Sequence, residues 1–172
     1  MKKSGHKSPP PKANPDASLR EQLVAVLKGG NAHVALADAL QDFPIRNRGA
    51  FARGLPHTAW QLLEHLRITQ WDILKFSRNA KHVSPDFPVG YWPATPGPPS
   101  ERAWAKSVQS LRNDMATMIR LVANAKMDLH KPFPWGDGQT LLREALLLAD
   151  HNAYHAGQLV DLKRALGIWP RA

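Results

Sequence analysis

The chain of 172 residues carries 23 Lys+Arg against 14 Asp+Glu, a formal charge of +9, and contains no Cys. That length suits one domain with a substantial core rather than two, and the missing Cys excludes disulfide scaffolds, thiolate metal sites, iron–sulfur clusters and cysteine nucleophiles. No apolar run is longer than that at residues 145–149, far short of the roughly 20 residues that span a bilayer, and no long apolar stretch directly follows the charged N-terminus, so a cytoplasmic protein without membrane association is expected.

Residues 1–17, MKKSGHKSPPPKANPDA, are rich in Lys, Pro and Ser and offer almost nothing to bury. They predict a disordered basic tail ahead of a single domain over 18–172. A first helix is predicted from Leu19, because Leu19, Leu23 and Leu27 recur every four residues before Gly29-Gly30 ends the segment. A short helix over 35–41 stops before Pro44, and residues 44–57 read as irregular. Thr58-Ala59-Trp60-Gln61 has the capping-box form, a hydroxyl for an early backbone N–H and a Gln reaching back. The helix it opens is expected to run to about Arg78 with Leu62, Leu66, Ile73 and Leu74 as its stripe. Pro85, Pro88, Pro93, Pro96, Pro98 and Pro99 then preclude a helix or central strand. That loop, with Tyr91-Trp92-Pro93, reads either as a rim over one end of the fold or as a connector covering the core. Ser100 is placed to cap the next helix, whose seam is Trp104, Val108, Leu111, Met115, Met118 and Val122. After a turn over 133–138, a last helix is predicted from about 139 to 166, ending at Gly167. No segment alternates with period two. The simplest architecture is all-α, an antiparallel four-helix bundle with a loop long enough to cross it.

The last helix carries His151-Asn152-Ala153-Tyr154-His155. Eight histidines in a chain of this length make a pair four apart unsurprising, so the face they occupy matters more than their spacing. At roughly 100° per residue, His155 lies about 40° round from His151, Leu162 about 20°, Leu148 and Leu166 about 60° and Leu159 about 80°. Both imidazoles therefore sit within the apolar stripe, joined by Glu144 and Gln158. Four polar groups on a core-facing stripe cost several kcal/mol unless each finds a partner. A metal ion, a bound ligand or a water network would each satisfy them. The helix from Thr58 offers His65 as a third ligand, near the edge of its stripe. His57 reads as a residue leading into that helix, His6 lies in the tail, and His33, His82 and His130 read as solvated.

Trp60-Gln61-Leu62-Leu63-Glu64-His65-Leu66, followed by His151-Asn152-Ala153-Tyr154-His155-Ala156-Gly157-Gln158-Leu159 and the closing Leu-Gly-Ile-Trp-Pro, resembles the DinB-like (damage-inducible) superfamily over roughly residues 19–170. The resemblance implies a four-helix bundle with a divalent metal held by His65, His151 and His155. Many relatives carry Arg just after the second motif His, where this chain has Ala156. That leaves the triad whole and removes a cation able to hold an acidic group. It further implies either thiol S-transfer, joining a low-molecular-weight thiol to an electrophile, or amidase or isomerase chemistry.

Three neutral imidazoles suit Zn²⁺, Ni²⁺ or Fe²⁺ and leave a coordination position free. An ion without anionic ligands keeps most of its charge and acidifies a water or thiol, which serves hydrolysis or thiol transfer on a small molecule. Asn152 stands where a zincin needs Glu, so that protease class is excluded. Glu64, Glu144 and Asp150 are the carboxylates weighed for proton transfer, and none is assigned as a catalytic base. Glu64 and Asp150 lie about 100° round the helix from their neighbouring His, and Glu144 about 10 Å along the axis from His151. Tyr154 is expected to pack, and Met115 and Met118 to lie in the core. The alternative reading is a module that holds a metal or small ligand without turnover, in stress response or detoxification. Nucleic acid is not expected as a partner, and a homodimer through helix faces is left open by analogy.

Overall fold

Among residues 14–169, which a computed structural model describes, the chain forms five α-helices and no strand, with one isolated bridge between Pro132 and Thr140. Helix α1 spans Pro15–Lys28. It starts earlier than the Leu periodicity suggests because Asn14 caps it, its side chain accepting from the backbone N–H of Asp16 and Ala17. Pro15 takes the first helical position, where a missing N–H has no cost. Residues 15–17, placed in the tail from composition, are thus its first turn. The rest of the predicted tail, residues 1–13, lies outside the described residues. Gly29 ends the helix at φ 71°, a left-handed conformation that glycine adopts freely.

Helix α2 is Leu36–Leu40. Helix α3, Ala59–Phe76, opens with both limbs of the capping box at Thr58 and Gln61 and stops two residues short of Arg78. Ser100 caps α4, Glu101–Ala123, and Thr140 caps α5, Leu141–Ala165, which starts two residues beyond Gln139. The irregular segments hold two single 3₁₀ turns, Ile45–Asn47 and Val89–Tyr91.

The core has two parts. In one, Leu62, Leu63 and Leu66 from the first half of α3 meet Leu159 and Leu162 from the second half of α5, with Ala39 and Leu40 of α2 and Trp104 of α4. In the other, Ile73 and Leu74 from the end of α3 meet Leu141, Ala145 and Leu148 from the start of α5, with Leu23, Leu27, Met118 and Val122. Met118 is fully buried, and Met115 is half-buried against this second cluster. Arg20 fastens α1 to the end of α4. Its buried guanidinium donates to the carbonyls of Val122 at 2.7 Å, Asn124 at 3.0 Å and Met127 at 2.6 Å, and pairs with Asp16 at 2.8 Å.

The Pro-rich loop is fixed in place. The Thr58 hydroxyl donates to the carbonyl of Pro96, and a Cβ on Gly49 would stand 2.8 Å from the Cα of Gly97, so the two irregular segments meet where only glycine fits. The side chain of His82, expected to be solvated, is instead only 7% exposed, and its Nε2 lies 2.6 Å from Asp72. A carboxylate inside the fold has to be bonded, and the loop supplies the donors.

Candidate metal centre

His65 lies between Leu63 and Leu66 of the first cluster along α3, and it converges with His151 and His155, which lie between Leu148 of the second cluster and Ala156 of the first along α5. α3 and α5 pack directly on one another, which brings the two motifs together. One nitrogen from each ring lies within 4.8 Å of the other two. His65 Nε2 and His151 Nε2 lie 3.0 Å apart. His155 is buried at 5% exposure, and the other two are half-buried.

Two of the rings are oriented by acceptors at their outer nitrogens. His65 Nδ1–H donates to the backbone carbonyl of Tyr91 at 3.0 Å, and His155 Nδ1–H donates to Gln158 Oε1 at 2.7 Å. Each bond commits the proton to Nδ1 and leaves the Nε2 lone pair free, the tautomer a metal ligand needs. With the His65 proton on Nδ1, His151 Nε2 must donate across the 3.0 Å contact when nothing else lies between them. The Nδ1 of His151 is buried without a partner. Such an orphan costs about 1–3 kcal/mol.

Burial holds all three imidazoles neutral. The His151 ring is lowered to about 3, first by burial and then by repulsion from His155 and His65. Burial lowers His155 to about 4, and burial likewise lowers His65. Three neutral rings at pH 7 present three lone pairs and no positive charge. A tetrahedral ion at roughly 2.0–2.1 Å from each ligand would hold their nitrogens roughly 3.3 Å apart, against 3.0 Å between His65 and His151 and no more than 4.8 Å across the set. The donor set therefore fits a divalent ion.

Trp92 covers the site. Its indole lies nearly parallel to His65, with centroids 4.0 Å apart and planes at 3°, and to His57, at 4.1 Å and 21°. His57 is thus part of the site's wall as well as the residue leading into α3. Burial lowers its pKa, and it shares a cavity of about 30 Å³ with Gln158, room for about one water. The loop itself is held by Tyr91, whose hydroxyl donates to Asp72 at 2.6 Å while His82 bonds the other carboxylate oxygen. Burial and the Asp72 carboxylate push the Tyr91 phenol up to about 12, so it remains a donor. Asp72 thereby fixes the strand of loop whose carbonyl orients His65. Nothing in the spacing of Asp72 or His82 announces this role; only the aromatic pair Tyr91-Trp92 in a Pro-rich loop hints at it.

The carboxylates weighed from sequence stand apart. Glu64 forms a two-bond pair with Arg67 at 2.8 Å, and Glu144 pairs with Arg143 at 2.6 Å, where burial raises its pKa. Neither belongs to the histidine cluster. Tyr154, expected to pack, is 64% exposed, its ring 5.0 Å from that of His155.

The family model of the DinB superfamily matches residues 13–159. The chain belongs to the DinB superfamily. The matched span includes all three histidines and every described helix except the last turns of α5. Neither a curated protein nor a solved structure matches the chain. Among the described residues of this DinB protein, no helix is long and apolar enough to cross a membrane.

Proposed function

We propose that this DinB protein is a divalent-metal-dependent enzyme acting on a small molecule, with His65, His151 and His155 as the metal ligands. The observation that carries the reading is the pair of committed Nδ1 protons on His65 and His155, which turn two neutral Nε2 lone pairs toward the same point as His151. The helices α1, α3, α4 and α5 would form the antiparallel four-helix bundle around it, with α2 as an addition at one end. An ion there supplies an acidified water or thiol at neutral pH. The chain's own residues hold the rest of the site. Tyr91 and Gln158 orient two ligands, Trp92 shields one side from water, and His57 stands beyond the indole as a titratable group outside the triad. Thiol transfer to an electrophile or hydrolysis is the chemistry that such a site supports.

A second reading, a metal-holding module without turnover, is favoured by one observation: Glu64 and Glu144 are both engaged by arginines rather than turned to the site. Elemental analysis of the purified chain, then a turnover screen with the metal restored, separates the two. Thiol consumption against an electrophile, or hydrolysis of an amide or ester, that disappears in His151→Ala supports the enzyme. A stoichiometric metal with no turnover across both screens supports the module, and no bound metal at all removes both.

A further inference from the structure

A second cavity lies between α1, α2, α4 and α5, with a volume of about 280 Å³. It is formed by side-chain size. Val108, Leu111, Met115 and Ile119 line one face of α4 at helical spacing, while α5 opposes them with Ala149 and Ala153. Those two short side chains lie roughly 160° round the helix from His151, so the cavity and the histidines occupy opposite sides of α5. Leu27, Leu36 and Leu40 complete the apolar wall. Gln70 and Asn152, also in the wall, bond to each other at 3.2 Å, and Gln70 donates onward to the carbonyl of Leu111.

Charge is confined to the mouth and has one sign. Lys28, His33 and Arg112 are exposed there, and no carboxylate among the described residues lines the cavity. Neither Lys28 nor Arg112 forms an ion pair among the described residues. An apolar chamber with an unpaired cationic rim suits a molecule with an apolar body and one anionic end. At roughly 30 Å³ per non-hydrogen atom, the share of a water in the liquid, the space takes about nine such atoms.

We propose that this cavity binds a small amphipathic anion, a medium-chain carboxylate of about eight carbons, with its tail against α4 and its carboxylate between Lys28 and Arg112. The site is separate from the metal centre and does not depend on its chemistry. Residues 1–13, with Lys2, Lys3, Lys7 and Lys12, carry the same sign as the rim and are a poor occupant.

Calorimetric titration of the full chain with octanoate tests this, run on EDTA-treated protein so that no carboxylate can bind through a metal. Saturable one-to-one binding is expected, with octan-1-ol, which has the same tail and no charge, binding more weakly. Lys28→Glu/Arg112→Glu should weaken octanoate by about tenfold and leave octan-1-ol unchanged. Ala116→Phe, at an exposed position on the cavity edge, should abolish both. Octanoate binding that survives Ala116→Phe places the site elsewhere, and equal affinities for acid and alcohol remove the role of the rim. A wild-type dimer that Ala116→Phe converts to monomer in sedimentation would make the cavity an interface between copies and overturn the proposal. Should Ala116→Phe fail to fold, judged by circular dichroism, the charge-reversal pair decides alone, because both its positions are exposed.

Discussion

The orientation of His155 rests on a single side chain, Gln158, which accepts its Nδ1–H at 2.7 Å. Gln158→Leu keeps most of the volume and removes the acceptor. The ring is then free to place its proton on Nε2, where a lone pair is needed, or else keeps a buried Nδ1–H without a partner. Loss of such an outer partner typically costs 10- to 100-fold in metal affinity, about 1.4–2.7 kcal/mol. The desolvation of an unpaired buried donor, about 1–3 kcal/mol, gives the same range independently. Zn²⁺ affinity measured by competition with a chromophoric chelator at neutral pH would read the loss. Gln158→Glu retains an acceptor in the same place and should bind at least as tightly as the natural chain. If Gln158→Leu binds as well as the natural chain while His155→Ala loses the metal, the tautomer argument fails and His155 is oriented by packing alone.

Ala in place of His65, His151 or His155 should lower metal content sharply by elemental analysis, and His57→Ala should leave it unchanged; metal retained in the His65→Ala/His155→Ala double variant would put the site elsewhere. The metal-free protein should lose stability as pH falls from about 6.5 toward 4 and 3, since folded pKa values of about 4 for His155 and about 3 for His151 lie below the ordinary 6.5 and the unfolded chain binds more protons throughout that window. Urea midpoints that rise on acidification there would contradict the burial argument. Arg20→Met should destabilise by about 3–5 kcal/mol in urea unfolding, because three carbonyls lose a charged donor and Asp16 loses its partner; a loss under about 1 kcal/mol would mean that water satisfies them equally well.

The helices were legible because their ends are written in local chemistry. Thr58, Ser100 and Thr140 each accept a backbone N–H from the third residue on, and Gly29 and Gly167 both take positive φ. The triad was legible because two imidazoles on a Leu stripe conflict with burial, and that conflict needs no tertiary information to detect. Other features depended on contacts distant in sequence. The capping role of Asn14 is masked by the Pro-rich composition around it, which points to disorder. The burial of His82 depends on Asp72, ten residues earlier and across a loop turn. His57 and Trp92 have no periodic relation to each other, yet they stack. A loop without repeating structure leaves no spacing from which its contacts can be read.

The histidine cluster also sets the folding energetics at the junction of the two core clusters. A sequence selected only for stability would continue the Leu stripe through position 151, where Leu148, Leu159 and Leu162 already lie on the same side. Instead the position holds a ring whose Nδ1 is buried and unpartnered. His151→Leu removes that orphan, worth about 1–3 kcal/mol, and adds apolar contact of similar volume. The metal-free variant should therefore be as stable as the metal-free natural chain, or more so, in urea unfolding. With saturating Zn²⁺ the order should invert, because an ion at 100 times its dissociation constant adds about 2.7 kcal/mol to a chain that binds it and nothing to one that does not. A His151→Leu variant that is markedly destabilised without metal would show that the imidazole is already satisfied in the apo fold. The case that the imidazole stands at position 151 for an ion rather than for the stability of the fold would then fall.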